Sequence, residues 1–198
     1  HPYFGTSFMS EQDSPRIGLF GGTFDPIHVG HLIMAEDALR ETPLDRVVFI
    51  PSPAAPLRED QAETSGLERL EMVRAAVAGY PNFEVDPFEV SQNRRVYSIE
   101  TVRHYEERYP GSRLFFLIGG DQVRQLGEWR CIDELKRKVT FVCARREQGN
   151  QFAAGADLVP LASRRIDISA TEIRRRIARG EPARTLLPPP VFSYIEKK

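Results

Sequence analysis

Two histidines, His28 and His31, stand three residues apart where an apolar run gives way to a helical pattern. They close the segment Gly21-Gly22-Thr23-Phe24-Asp25-Pro26-Ile27-His28-Val29-Gly30-His31. A glycine pair after a strand lets backbone amides approach a ligand with no side chain in the way. At an i, i+3 spacing on a helix both imidazoles lie on one face, and the helix opening adds free N–H groups and the positive end of its dipole. The result is a small, neutral-to-cationic anion site that suits polyphosphate. Zinc is the competing reading of two such histidines, but no third ligand of suitable type and spacing accompanies them. Thr23, Asp25-Pro26 and Gly30 have no evident packing purpose, which favours the functional reading. A second anion site is expected near the C-terminus. Ser169 and Glu172 have the capping-box spacing, so a helix should run from Ser169 to about Arg179 and stop at Gly180. Its free N–H groups can meet phosphate, with Arg174 on the following turn as a fixed cation. Arg175, Arg176 and Arg179 read as that helix's solvated face.

These residues need a scaffold, and the apolar pattern supplies one. Arg16 to Gly21, Val47 to Ile50, Phe83 to Val85, Leu114 to Ile118 and Val139 to Val142 read as strands, with Leu158-Val159 as a shorter one. Between them lie helical patterns: Val29, Leu32, Ile33 and Leu39; then Leu70, Val73 and Val77 behind the capping pair Ser65 and Glu68; then Ser98 to Tyr109, ended by Pro110-Gly111. A short C-terminal helix is expected near Val191. Strands that are continuous apolar runs, alternating with helices, predict one doubly wound α/β domain with a parallel sheet covered on both faces. Ligands in such a sheet bind beyond the carboxyl ends of the strands. Gly21 to His31, Gly119 to Asp121 and Arg145-Arg146 all fall there.

Composition narrows the class. The 198 residues are 41% hydrophobic and 28% charged, with a formal charge of −1, so the basic excess of a general nucleic-acid binder is absent. No apolar stretch approaches the roughly 20 residues of a membrane span. Cys131 and Cys143 form neither a disulfide framework nor a metal spacing, which suits a reducing compartment; both read as packing residues, and a cytoplasmic location is expected. Residues 1–8 are aromatic and irregular and read as an expression-tag remnant, with Met9 as the native start and 9–198 as the single domain.

The segment ending His28-Val29-Gly30-His31 resembles the His-x-Gly-His signature of the nucleotidyltransferase superfamily that includes class I aminoacyl-tRNA synthetases. The fuller Gly-Gly-Thr-Phe-Asp-Pro-x-His-x-Gly-His is similar to the bacterial nicotinate mononucleotide adenylyltransferases. Ile168-Ser169-Ala170-Thr171-Glu172-Ile173-Arg174 resembles their second signature, Ile-Ser-x-Thr-x-Ile-Arg. The likeness extends through the middle of the chain to Leu186-Leu187-Pro188. It implies a Rossmann-like nucleotidyltransferase fold with a small C-terminal helical part. It further implies an ATP site formed by Gly21, Gly22, Thr23, Phe24, His28, His31, Gly119, Asp121, Ile168, Ser169, Thr171 and Arg174. On the mononucleotide side Gly119-Gly120-Asp121 and Trp129 resemble the family's Ile-Gly-x-Asp…Trp segment, whose tryptophan stacks on the nicotinate ring, a favourable π contact. An aromatic core role is the competing reading of Trp129. Tyr97-Ser98 resembles the family's Tyr-Thr pair; Arg58, Ser98, Asp121, Trp129, Arg130 and Arg146 complete the expected mononucleotide contacts, and a solvated Arg145-Arg146 pair stays open.

Two departures fall on that side. Pro56-Leu57-Arg58 stands where the family has Pro-His-Lys or Pro-His-Arg, and Gln92 stands where it has an arginine, unless Arg94 or Arg95 takes that place. The chemistry implied is in-line attack by the phosphate of nicotinate mononucleotide on the α-phosphorus of ATP. A phosphate with a second pKa of about 6 is already mostly dianionic, so no general base is required. His28, His31 and Arg174 would act on the leaving pyrophosphate, assisted by Thr23 and the Ser169 helix start. Mg²⁺ would bridge the ATP phosphates with few protein ligands. Nicotinamide mononucleotide as acceptor, phosphopantetheine (whose related family has Thr at the place of His28) and a non-catalytic nucleotide sensor are the alternatives. A homo-oligomer stays open.

Overall fold

A computed structural model describes residues 14–53, 64–144, 157–162 and 166–198. Its elements run β1 (Arg16–Gly22), α1 (Val29–Glu41), β2 (Arg46–Pro51), α2 (Gly66–Val77), β3 (Phe83–Val85), α3 (Phe88–Ser91), α4 (Ser98–Arg108), β4 (Arg113–Ile118), α5 (Gly120–Gln125), α6 (Ile132–Lys138), β5 (Val139–Ala144), β6 (Leu158–Leu161), α7 (Ala170–Ala178) and α8 (Pro189–Glu196). The strands form one sheet in the order β3-β2-β1-β4-β5-β6, every neighbouring pair parallel. That is the doubly wound order, with its switch point between β1 and β4. The expected fold class is the one observed.

Burial explains the runs. Ile17 and Leu19 of β1 point to one face of the sheet and Phe20 to the other, each 5% exposed or less. One face packs Phe49, Leu117 and Val142 with residues of α1, α2, α7 and α8. The other packs Ile50, Phe116 and Phe141 with residues of α4, α5 and α6. A strand with helices on both sides has no polar face to show, which is why the alternation of a half-exposed strand is missing. Gly18 serves this packing: a Cβ there would come within 2.8 Å of Leu44.

Helix ends follow their caps, with one correction. Ser65 and Glu68 make the full reciprocal box at 3.1 Å each way. Ser169 Oγ accepts from the Glu172 N–H at 3.2 Å, but the return half of the second box is not made. Arg176, one turn on, takes the Glu172 carboxylate at 2.6 Å instead, and a charged partner outcompetes a neutral backbone donor. Gly180 stops α7 as expected, at φ +68. The C-terminal helix starts at Pro189, two residues before Val191, because proline at the first turn needs no N–H partner. The short helices α3, α5 and α6 carry too few turns to show a period in the sequence. Among the described residues no helix is long and apolar enough to cross a membrane. Residues 1–8 and Met9 lie outside the described residues.

Candidate active site

The carboxyl end of β1 turns into α1 through a loop held from inside. Phe24 has a positive φ of 49, and its ring is buried against Phe20 and Phe49 at centroid distances of 5.5 and 5.8 Å. Its edge also meets His31 at 5.0 Å. The Phe24 side chain therefore belongs to the core, which leaves its backbone to face a ligand. His28 is the N-cap of α1, and its backbone N–H donates to His31 Nδ1 at 3.1 Å. An accepting Nδ1 carries no proton, so the neutral His31 ring keeps Nε2–H as its donor.

The two imidazoles stack with centroids 3.7 Å apart and planes 25° from parallel. Gly30 permits this: a Cβ there would lie 3.0 Å from two atoms of the His28 ring. Gly30 thus has the packing purpose that the sequence did not reveal. Burial lowers the His28 pKa to about 4; burial, and then the charge of His28, push His31 well below its ordinary value. At neutral pH the pair is neutral, which resolves the neutral-to-cationic expectation. Two imidazolium rings at stacking distance would repel in a dry setting. His28 Nδ1 is buried with no hydrogen-bond partner among the described residues, a polar atom left for a ligand.

Charge comes from α7. Arg174 Nη1 donates to the Asp25 carbonyl and lies 3.9 Å from the Asp25 carboxylate. Its Nη2 donates to Thr171 Oγ1 at 3.1 Å. Two segments 149 residues apart are thereby joined beside the histidine pair. Asp25, like Gly30, has a structural task. Ser169 is exposed at the N-cap of α7, and Ile168 is half-buried against the core.

At the end of β4, Gly119 is the N-cap of α5 and its N–H donates to Gln122 Oε1 at 2.9 Å. Asp121 lies in the first turn of α5, and its side chain falls outside the described set. A cavity of about 500 Å³ opens nearby, lined by Arg95, Val96, Tyr97, Ser98, Gln125, Glu128, Trp129 and Arg130. Trp129 both packs and lines: its ring meets Phe116 edge-on at 5.7 Å and Phe141 at 6.5 Å. Ser98, Trp129 and Arg130 thus line one cavity. Arg95 and Arg130 place their guanidinium carbons 5.0 and 4.7 Å from the centroid of the Tyr97 ring. Arg94 is spent on Glu100 at 2.8 Å, and Gln92 is the exposed C-cap of α3. Of Arg94 and Arg95, it is therefore Arg95 that reaches the cavity.

Arg58, Arg145 and Arg146 lie outside the described residues. Sequence reasoning missed Gln125, at the end of α5, and Glu128, in the single helical turn Leu126–Glu128; both pieces are too short to leave a periodic signal. It also missed Arg69, which is fully buried. A signal existed for Arg69: it sits four residues before Val73, on the apolar stripe of α2. Among the described residues no group of three or more His, Cys, Asp or Glu side chains could hold a metal ion.

The cytidylyltransferase-like family model matches residues 19–176. A probable nicotinate-nucleotide adenylyltransferase of Shouchella clausii is 44% identical over 184 residues, covering 92% of this chain and 95% of the relative. One of the same name from Methylacidiphilum infernorum is 42% identical over 190 residues, with coverages of 96% and 93%. Among solved structures, the nicotinic acid mononucleotide adenylyltransferase of Plasmodium falciparum complexed with NaAD superposes with a TM-score of 0.77. It is 16% identical and covers 92% of this chain and 95% of that one. That likeness bears on the fold.

Proposed function

The chain belongs to the cytidylyltransferase-like family, among the nicotinate-nucleotide adenylyltransferases, and from that premise we propose how its residues divide the work of joining nicotinate mononucleotide to the AMP half of ATP. The observation that supports the reading is the bond from Arg174 to the Asp25 carbonyl, which joins the two signature segments side by side.

ATP would be taken as its Mg²⁺ complex, in which part of the phosphate charge would already be neutralised. The acceptor phosphate oxygen attacks the α-phosphorus, the bond to the β,γ-pyrophosphate breaks, and nicotinate adenine dinucleotide and pyrophosphate result. The attacking dianion needs no base, so the protein's task is position and charge. His31 offers Nε2–H, fixed by the bond at its other nitrogen. His28 stacks beside it, and Arg174 supplies the cation that the neutral pair does not. Gly21, Gly22, Thr23 and the backbone of Phe24 line the loop that phosphates would meet, and the free N–H groups after Ser169 complete it.

The acceptor would lie in the cavity with its ring against Trp129. Nicotinate carries a carboxylate where nicotinamide carries an amide, and among the described lining residues Arg95 and Arg130 face one carboxylate, Glu128. The balance of charge favours the acid. Cys131 and Cys143, which form no disulfide, suit a cytoplasmic setting.

The test is pyrophosphate release with ATP and Mg²⁺, comparing nicotinate and nicotinamide mononucleotides, with His31→Ala as control. Preference for nicotinate, lost in the variant, supports the reading. Equal or reversed preference overturns the acceptor assignment, and no release with either overturns the reaction.

A further inference from the structure

Among the described residues Arg69 heads the large side chains with no exposed surface, and it is a cation. Among the described residues its guanidinium hydrogen-bonds only backbone carbonyls: Thr23 at 2.6 Å through Nη1, Pro53 at 3.2 Å through Nη2, and Thr64 at 3.3 Å through Nε. Asp25 contributes through its field without a hydrogen bond to it. Among the described residues no carboxylate bonds this buried charge, which is costly to keep, and an apolar residue of similar volume would fill this place in α2 more cheaply. The three carbonyls explain what the charge does. Thr23 belongs to the loop after β1, Pro53 follows β2 and Thr64 precedes α2, so one planar fork ties three chain segments at the carboxyl edge of the sheet. The opening of α2 accommodates it: a Cβ on Gly66 would lie 3.0 Å from the Pro53 carbonyl and 3.5 Å from Arg69 Nη2.

The Thr23 contact has a chemical consequence. The Thr23–Phe24 peptide is trans, the chain's cis bond among the described residues being Asp25–Pro26. In a trans peptide the C=O and N–H point opposite ways. A Thr23 carbonyl drawn inward onto Arg69 therefore turns the Phe24 N–H outward, and the left-handed φ of Phe24 keeps its ring in the core while it does so. We infer that Arg69 is a positioning residue: it holds the Thr23–Phe24 peptide in the orientation that presents the Phe24 N–H to the phosphates of the nucleotide. Lysine cannot substitute, since a single ammonium lacks the planar fork that spans three carbonyls. The inference rests on the proposed reaction only for its kinetic readout.

The experiment compares the full chain with Arg69→Met, Arg69→Lys and Gly66→Ala. Thermal unfolding first sets a temperature at which each is fully folded. Mg²⁺–ATP affinity by calorimetry and pyrophosphate release are then measured there. The expected result for Arg69→Met is a fall in kcat of about tenfold to 100-fold, the scale of a misplaced catalytic group. Its ATP affinity weakens, the KM for the mononucleotide changes little, and Arg69→Lys restores stability without restoring the rate. Gly66→Ala, which keeps the cation but presses on Pro53, shifts the same quantities less. Activity per folded molecule and ATP affinity equal to the parent in Arg69→Met would overturn the inference. Should Arg69→Met not fold, the Lys and Gly66 variants decide by the same criteria. Should the parent release no pyrophosphate, the proposed function fails separately, and the ATP affinities alone judge Arg69.

Discussion

At the end of β1 two imidazoles are stacked, desolvated and neutral; across the crevice two guanidiniums stand largely in solvent over the Tyr97 ring. The histidine end gives up charge for position. Its donors are held by Gly30, by the His28 N–H and by an aromatic bed of Phe20 and Phe24. The arginine end keeps its charge and gives up rigidity, because long side chains at a cavity mouth lose little hydration. Groups that must meet a short-lived charge distribution gain from being fixed in advance. Groups that only recognise a stable carboxylate can stay solvated.

Beneath the arginine end lies a buried acidic network that reverses the histidine pattern. Glu89 accepts from Thr101 Oγ1 at 2.7 Å, and burial raises its pKa to about 7. Asp86 accepts from the Tyr105 hydroxyl and from the Phe88 N–H. Burial, followed by the bond to Asp86, pushes the Tyr105 phenol up. These contacts tie α3 to α4 on either side of the segment that carries Arg95.

The largest expected effect breaks the histidine end. Replacing His31 by alanine should lower kcat by about 100- to 1,000-fold, the usual cost of one transition-state donor, with nucleotide binding weakened far less. A loss under tenfold in a steady-state pyrophosphate assay would remove His31 from the reaction.

The next effect sets the two ends against each other by pH. The His28 pKa falls from 6.5 to about 4 on folding, so its stabilisation holds above pH 6.5 and is lost toward pH 4. The Glu89 pKa rises from 4.5 to about 7, so its stabilisation is full below pH 4.5 and is lost as pH rises through 7. Between pH 7 and 5 each is worth about 2 kcal/mol, with opposite sign. Glu89→Gln should therefore make acidification more destabilising than in the parent, and His28→Asn less so. Urea unfolding at both pH values checks this; parallel slopes for all three proteins would refute the contrast.

Arg130→Ala should sharpen the comparison from the other side. Loss of one charge-assisted contact is worth about tenfold in the KM for nicotinate mononucleotide. The KM for ATP should stay unchanged, and selectivity over the nicotinamide form should narrow. Kinetics with both acceptors would expose the opposite result, a uniform rise in both KM values. The smallest effect is at the α7 cap, where Ser169→Ala should cost about 1 kcal/mol. For a domain of this size that lowers Tm by about 2–4 °C, readable by calorimetry.

Much of this molecule was legible from local pattern. Apolar runs, glycine pairs and capping residues act over a few positions, so they announced the six strands, the opening of α1, the cap of α2 and the stop at Gly180. Both signatures could be read because their residues are contiguous. What the tertiary structure decided is what acts across the chain. Asp25 and Thr23 are structural as well as local to the site because Arg174 and Arg69 reach their carbonyls from distant helices. Arg95 rather than Arg94 lines the cavity because Glu100 captures its neighbour. The histidines are neutral because Phe20, Phe24 and each other's rings displace water from them. A residue's type and spacing set what it can bond; its burial and charge state depend on which remote segments fold against it, and no local pattern encodes those.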